Sequence, residues 1–282
     1  MKKLYLVSVS GGKDSTVTMH YMLNKYPRNQ LKFIFADTGW ENPLTYKYID
    51  YLDKTYKLDL IRVSSEKFKD METLCVSKKM FPNRVNKFCT NELKIIPILN
   101  KINEFKLLGF KVISVVGVRK EESEKRKGEG LWKTNFTHHA NFISFRSLKN
   151  IKKSKSVKNF YSNENAVTIY QPIVNWTTQE VYDYSKKNNI ELNPLYKMGC
   201  SRVGCYPCIN SSKNEIGMLS FEAVQKVKAL ENKVSKVTTN SKNATFFYSK
   251  GKPIPIEDIY KKNEFNSLGL DLGCINPYGL CE

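Results

Sequence analysis

No stretch of the 282-residue sequence stays apolar for the roughly 20 residues that a membrane-spanning helix needs. The opening segment, Met1 to Ser8, has too short an apolar stretch for a secretory signal. The sequence also lacks an internal repeat, and acidic residues are scarce, with 27 Asp and Glu against 46 Lys and Arg. These absences argue against a membrane protein, an exported protein and a solenoid, and they place the chain in the cytoplasm with no membrane partner. What is present is ordinary for a globular chain: 41% hydrophobic and 26% charged residues, enough to bury a sizeable core.

The net charge of +19 attracts polyanions by long-range steering and counterion release, so nucleic acid is a candidate partner. A genome biased toward Lys, Asn and Ile codons gives the same composition with no such partner. Between Arg119 and Phe160 the imbalance concentrates to 12 basic against 4 acidic residues, with Trp132, Phe136, Phe142 and Phe145 interleaved. That mixture suits phosphate contact with base stacking, and equally a solvated insertion anchored by its aromatics.

Leu4 to Val9 is a short strand-type run ended by Ser10, Gly11 and Gly12, and Val17, Met19, Met22, Leu23 and Tyr26 follow at helical spacing. Further strands are expected at 31–36, 58–63, 112–116 and 167–173. Helices are expected around Leu44 to Tyr56, over 90–108, after the capping box Thr177-Thr178-Gln179-Glu180, and over 220–236. Alternating strands and helices imply an α/β chain with a mainly parallel sheet flanked by helices. Ligands then bind beyond the carboxyl ends of the strands, where the loops after Val9, Ala36 and Val116 converge. Residues 128–166 turn polar and aperiodic, as an insertion or loop region does, and the last 45 residues look irregular. The expected division is 1–210 for the nucleotide-binding domain and 211–282 for a helical and irregular C-terminal extension.

The first chemical signal is Ser10-Gly11-Gly12-Lys13-Asp14-Ser15, between a strand and a helix. Adjacent glycines bring backbone N–H groups onto a phosphate, the helix N-terminus adds partial positive charge, and Lys13 adds a full one. Ser10 and Ser15 supply hydroxyl donors, and Asp14 either holds Mg²⁺ or caps the helix. The usual P-loop, Gly-x-x-x-x-Gly-Lys-Ser/Thr, is absent.

This segment resembles the pyrophosphate loop of the adenine-nucleotide α-hydrolase superfamily, and later segments resemble its phosphoadenosine phosphosulfate (PAPS) reductase branch. They are Asp37-Thr38-Gly39 after the second strand, Cys89-x-x-x-x-Lys94-x-x-Pro97, Gly117-x-Arg119-x-x-Glu122-Ser123-x-x-Arg126, Gln171 to Trp176, and Asn193-Pro194-Leu195-Tyr196. The resemblance covers about residues 4–210 and implies a Rossmann-like sheet binding ATP with Mg²⁺. Chemistry gives Arg119, Arg126 and Lys94 the neutralising of charge on a phosphate or an adenylated intermediate. Asp37 suits a ribose, adenine or metal contact, or a cap for the next helix, and Thr38 and Gly39 share its loop.

Seven cysteines in a cytosolic chain favour metal or redox use over a disulfide scaffold. Cys200-x4-Cys205-x-x-Cys208 puts three thiols on a loop broken by glycine, and the resemblance implies Cys89 nearby. Four thiolates suit a 4Fe-4S cluster or a zinc ion; buried free thiols or a redox disulfide are the alternatives. Cys75 reads as a core residue. Cys274 and Cys281 lie in the tail, as sulfur carriers or without function.

Three functions compete. The resemblance is nearest in pattern to the C subunit of DNA phosphorothioation systems: ATP is cleaved to AMP and pyrophosphate while an acceptor, DNA or tRNA, is adenylated. Sulfur from a donor protein such as a cysteine desulfurase then displaces AMP. The second is a reductase of phosphoadenylylsulfate or adenylylsulfate, against which stand the intact phosphate loop and a tail reading Tyr278-Gly279-Leu280-Cys281-Glu282 rather than Glu-Cys-Gly. The third is a non-catalytic nucleotide- or DNA-binding regulator. The sequence also leaves room for a homo-oligomer.

Overall fold

A computed structural model describes residues 2–83, 86–122, 131–138, 141–143, 166–238, 244–249 and 252–260. Arg126, Cys274, Cys281 and residues 144–165 of the basic segment lie outside the described residues.

Strands β1 (Lys3–Ser8), β2 (Leu31–Ala36), β3 (Ile61–Val63), β4 (Lys111–Val115) and β7 (Ala166–Tyr170) form a parallel sheet in the order β3-β2-β1-β4-β7. Both faces are covered, so consecutive strand residues are buried in alternate directions, as a parallel sheet requires. Tyr5, Val7, Phe33, Phe35, Ile113 and Val115 pack against Met19 and Met22 of α1 (Lys13–Lys25) and Ile49 and Leu52 of α2 (Pro43–Tyr56). On the other face Leu6, Ile34, Val112, Val167 and Ile169 meet Leu99 and Ile102 of α5 (Ile96–Leu107). That helix continues α4 (Phe88–Thr90) through a π-helical turn, Asn91–Ile95. The architecture is a Rossmann-like parallel sheet flanked by helices, as the resemblance to the adenine-nucleotide α-hydrolase superfamily implies. Its strand order reverses between β1 and β4, so the loops after these two strands flank the crevice where such sheets bind ligands.

Two expectations need correction. Part of the polar stretch 128–166 is regular: β5 (Trp132–His138) runs antiparallel to β7, and β6 (Asn141–Ile143) runs antiparallel to β5 at the sheet edge. Backbone ladders need no apolar run, which is why composition hid them. Likewise the final segment is not wholly irregular. A hairpin of β8 (Phe247–Ser249) and β9 (Lys252–Ile254) is present, followed by a helical turn at 256–260. Smaller differences have local causes. The third strand starts only at Ile61 because Lys57 and Asp59 take positive φ, and β7 stops at Tyr170 ahead of Pro172, whose ring removes a ladder donor.

Beyond β7 come α6 (Thr178–Lys187), opened by the expected Thr177/Glu180 capping box, α7 (Lys213–Gly217) and α8 (Phe221–Val237), capped by Ser220. Residues after 210 share a core with earlier ones: Val224, Val227, Leu230 and Val234 of α8, with Phe246 and Ile256, pack on Trp40, Leu74 and Cys75. Leu74 and Cys75 belong to α3 (Met71–Lys78). Burial pushes the Cys75 thiol up to about 12, so it stays protonated as a core residue. No helix among the described residues is long and apolar enough to cross a membrane.

Candidate nucleotide and thiol site

The 10–15 loop runs from the end of β1 into α1. Gly11 has φ +76°, which L side chains rarely adopt, and a Cβ there would lie 2.9 Å from Thr45 Cγ2. Ser15 Oγ accepts from the Ser10 amide (3.1 Å) and hydroxyl (3.0 Å) and donates to the Gly12 carbonyl (2.9 Å), so the loop is braced from within. Helix α1 has Gly12 as its N-cap and no side-chain cap, which leaves the Asp14 and Ser15 amides of the first turn for an anion.

The loop is also held from outside. Asn193 Nδ2 donates to the Gly11 carbonyl at 3.2 Å, and Tyr196 Oη accepts from the Lys13 amide at 2.9 Å. The Lys13 ammonium lies 5.2 Å from the centre of the Tyr196 ring and 3.7 Å from Asp14. Burial, with Asp14 and Glu122 nearby, raises the Tyr196 phenol, so it remains protonated. Asn193-Pro194-Leu195-Tyr196 is thus a buttress for the phosphate loop. Sequence reasoning matched this segment without giving it that role.

Asp14 and Arg119 differ from expectation. Asp14 does not cap α1: its Oδ1 accepts from Arg119 Nε at 2.5 Å. Arg119 is only 3% exposed, and its Nη1 also donates to Glu121 (2.6 Å) and to Thr178 Oγ1 (3.1 Å). Burial alone would lower the guanidinium, but Asp14 and Glu121 outweigh it and the net shift is upward. Arg119 therefore ties the loop after β4 to α1 and α6. The close approach of β4 to α1 depends on Gly117, where a Cβ would come within 2.6 Å of the Asp14 carbonyl oxygen.

A cavity of about 170 Å³ lies over the phosphate loop, lined by Ser10, Gly12, Lys13, Asp14, Ser15, Gly117, Glu122, Tyr196, Arg202 and Val203. A second, of about 350 Å³, is lined by Cys89, Cys205, Cys208, Lys94, Lys87 and Thr38, and again by Arg202 and Val203. The two share a wall because the Cys200 to Cys208 loop lies between them. Tyr206 N donates to the Trp40 carbonyl (2.7 Å), Trp40 Nε1 donates to the Pro207 carbonyl (3.2 Å), and Glu41 bridges Cys205 through the backbone.

Asp37 accepts from Gly39 N (2.9 Å) and Tyr46 Oη (2.6 Å), closing its own turn; Asn42, not Asp37, caps α2. Thr38 Oγ1 donates to the buried Glu41 Oε1 at 3.0 Å, and Lys94 Nζ lies 3.4 Å from the same oxygen. Burial opposes the Lys94 charge, yet Cys205 and Glu41 raise it overall. Thus Thr38 and Lys94 belong with the thiols rather than with the phosphate loop.

Three of the four expected cysteines line one cavity, and Cys200 does not. Among the described residues no three Cys, His, Asp or Glu side chains converge closely enough to hold a metal ion. Burial pushes the Cys205 thiol up to about 12 and raises Cys89, so both are neutral as they stand. A soft metal that takes their protons reverses this, and Lys94 beside Cys205 offsets the resulting charge, so the donor chemistry fits a thiolate-held group.

A model of the phosphoadenosine phosphosulfate reductase domain matches residues 5–211. The chain belongs to this family. It is 28% identical to the 37.8 kDa protein of the gpa 5′ region of Escherichia phage 186, over 88% of this chain and 80% of that one. It is 26% identical to the phosphoadenosine 5′-phosphosulfate reductase of Buchnera aphidicola, over 77% of this chain and 74% of the relative. A PAPS reductase structure from Candida auris in a phosphate complex superimposes with TM-score 0.48 and 16% identity, over 72% of this chain and 82% of that one. The chain spans only 39% and 40% of the length of two Methanocaldococcus jannaschii relatives.

Proposed function

We propose that this PAPS reductase-family chain binds ATP on the 10–15 loop, adenylates an acceptor with release of pyrophosphate, and supports sulfur transfer, with nucleic acid as the acceptor, as in DNA phosphorothioation. The observation that carries this is the intact Ser-Gly-Gly-Lys-Asp-Ser loop at an uncapped helix N-terminus, buttressed by Tyr196 and Asn193. An enzyme whose substrate arrives already activated has no pyrophosphate to hold there.

In the chemical step an acceptor oxygen attacks the α-phosphorus of ATP, and the bond from that phosphorus to the bridging oxygen breaks. The departing pyrophosphate is received by the loop amides and Lys13. The terminal sulfur of a persulfide, delivered by a donor protein such as a cysteine desulfurase, then attacks the adenylated centre and AMP leaves; attack of a thiol on the remaining S–S bond frees the thiolated acceptor and closes a disulfide. Mg²⁺ would accompany the ATP phosphates. Arg119 positions the phosphate loop through Asp14, and Lys94 holds charge at the thiols. Cys89, Cys205 and Cys208 would hold a 4Fe-4S cluster or zinc. Such a group supplies a soft binding position for sulfur.

A second reading, reduction of PAPS or adenylylsulfate, is favoured by the names of curated relatives such as the Buchnera enzyme. The deciding experiment is an anaerobic assay of pyrophosphate release from ATP with DNA, tRNA, sulfate or no acceptor, run beside an assay of sulfite release from PAPS. Acceptor-dependent pyrophosphate supports the proposal; sulfite without pyrophosphate selects the reductase. Nucleotide or DNA binding with neither product selects the regulator.

A further inference from the structure

One of the cations that sequence patterns assign to the phosphates, Arg119, donates to Asp14, Glu121 and Thr178. Another arginine is not so engaged. Arg202 lies in the Cys200 to Cys208 loop, is exposed, and has no hydrogen bond or ion pair with any described residue. It lines both the phosphate-loop cavity and the thiol cavity. Its loop is pressed close to the phosphate loop, since a Cβ on Gly12 would lie 3.6 Å from the Val203 carbonyl oxygen and 3.5 Å from Tyr196 Oη. The loop cannot drift far, being fastened to Trp40 through Tyr206 and Pro207.

A guanidinium with no carboxylate partner, facing an uncapped helix N-terminus across a small cavity, is matched to a phosphate chain: its fork of N–H donors pairs with two oxygens at once. We propose that Arg202 is a ligand of the nucleotide's phosphate chain, supplied by the cysteine loop, and opposes Lys13 across the anion. The proposal rests on the 10–15 loop being the phosphate site. It adds that the phosphate site is completed only by the loop that carries Cys205 and Cys208.

The test is calorimetric titration of the full-length chain with inorganic pyrophosphate, and separately with a single-stranded oligonucleotide, for wild type, Arg202→Ala, Arg202→Lys and Lys54→Ala. Lys54 is an exposed cation on α2 that lines neither cavity, and it controls for the loss of one positive charge. Loss of a charge-assisted bidentate contact is expected to weaken pyrophosphate binding in Arg202→Ala by about tenfold or more. Arg202→Lys should recover part of this, and Lys54→Ala should stay within about twofold of wild type. Because Arg202 is exposed and unpartnered, both variants should melt with the wild type. Arg202→Ala matching Lys54→Ala would overturn the assignment while leaving the phosphate loop intact, as would weakened oligonucleotide binding with pyrophosphate unaffected. Wild type that binds no pyrophosphate would overturn both this assignment and the proposed function.

Discussion

Glu231 sits on the buried face of α8, 7% exposed, among Val227, Leu230 and Val234. Its two carboxyl oxygens accept from the amides of Phe246 (2.9 Å) and Ile256 (3.3 Å), so it fastens the C-terminal hairpin segment to the helix. Burial outweighs those two bonds and pushes the carboxyl up to about 7, from the ordinary 4.5. Between pH 4.5 and 7 the folded chain therefore keeps a proton that the unfolded chain has released. Stability from this group is fully present below the unfolded value, falls as pH rises through that window, and is level above it. At about 1.4 kcal/mol per unit, the span corresponds to roughly 3 kcal/mol. Other groups titrate as well, so the quantity to measure is the difference between wild type and Glu231→Gln. Glutamine loses one acceptor at every pH but has no proton to exchange, so the offset is constant and the slope isolates Glu231. Denaturant unfolding followed by fluorescence, with Trp40 stacked on Phe246 in the same core, should show the wild type losing roughly 3 kcal/mol relative to the variant between pH 4.5 and 8. A difference that stays flat, or that moves in favour of the wild type as pH rises, would refute the burial account.

Lys13→Ala should cut pyrophosphate release by about a hundredfold or more with little change in melting temperature; unchanged turnover would remove the loop from the chemistry. Gly117→Ala places a Cβ against the Asp14 carbonyl, and should cost about 1–3 kcal/mol in chemical unfolding while weakening pyrophosphate binding. Cys205→Ser should bleach the broad visible absorbance of anaerobically purified protein, whereas a colourless wild type that contains zinc would replace the cluster with that metal.

The parallel sheet was legible because its strands are short apolar runs separated by helix-period segments, and the phosphate loop because two glycines and a lysine fall between a strand and a helix. Strand β5 was not, since Trp132 to His138 mixes polar and aromatic residues inside a lysine-rich stretch and owes its place to the ladder with β7. The pairing of Asp14 with Arg119 spans 105 positions, and no local pattern announces it. Arg119 read as neutralising charge on a phosphate, and the structure adds that its Nε and Nη1 donate to Asp14, Glu121 and Thr178. Asp37, suggested as a helix cap, lost that place to Asn42 because the chain makes one more turn before α2 begins. Arg202 carries no sequence signal at all: a single exposed arginine gains meaning only from the cavities beside it. Glu231 was hidden similarly, as one acidic residue on a helix face otherwise apolar.

The Cys200 to Cys208 loop touches the phosphate loop on one side and the turn around Trp40 on the other. A single backbone segment therefore serves as a party wall between a compartment for phosphates and a compartment for thiols. On the proposed function, the anion and the thiol-held group would therefore rest against the same stretch of backbone.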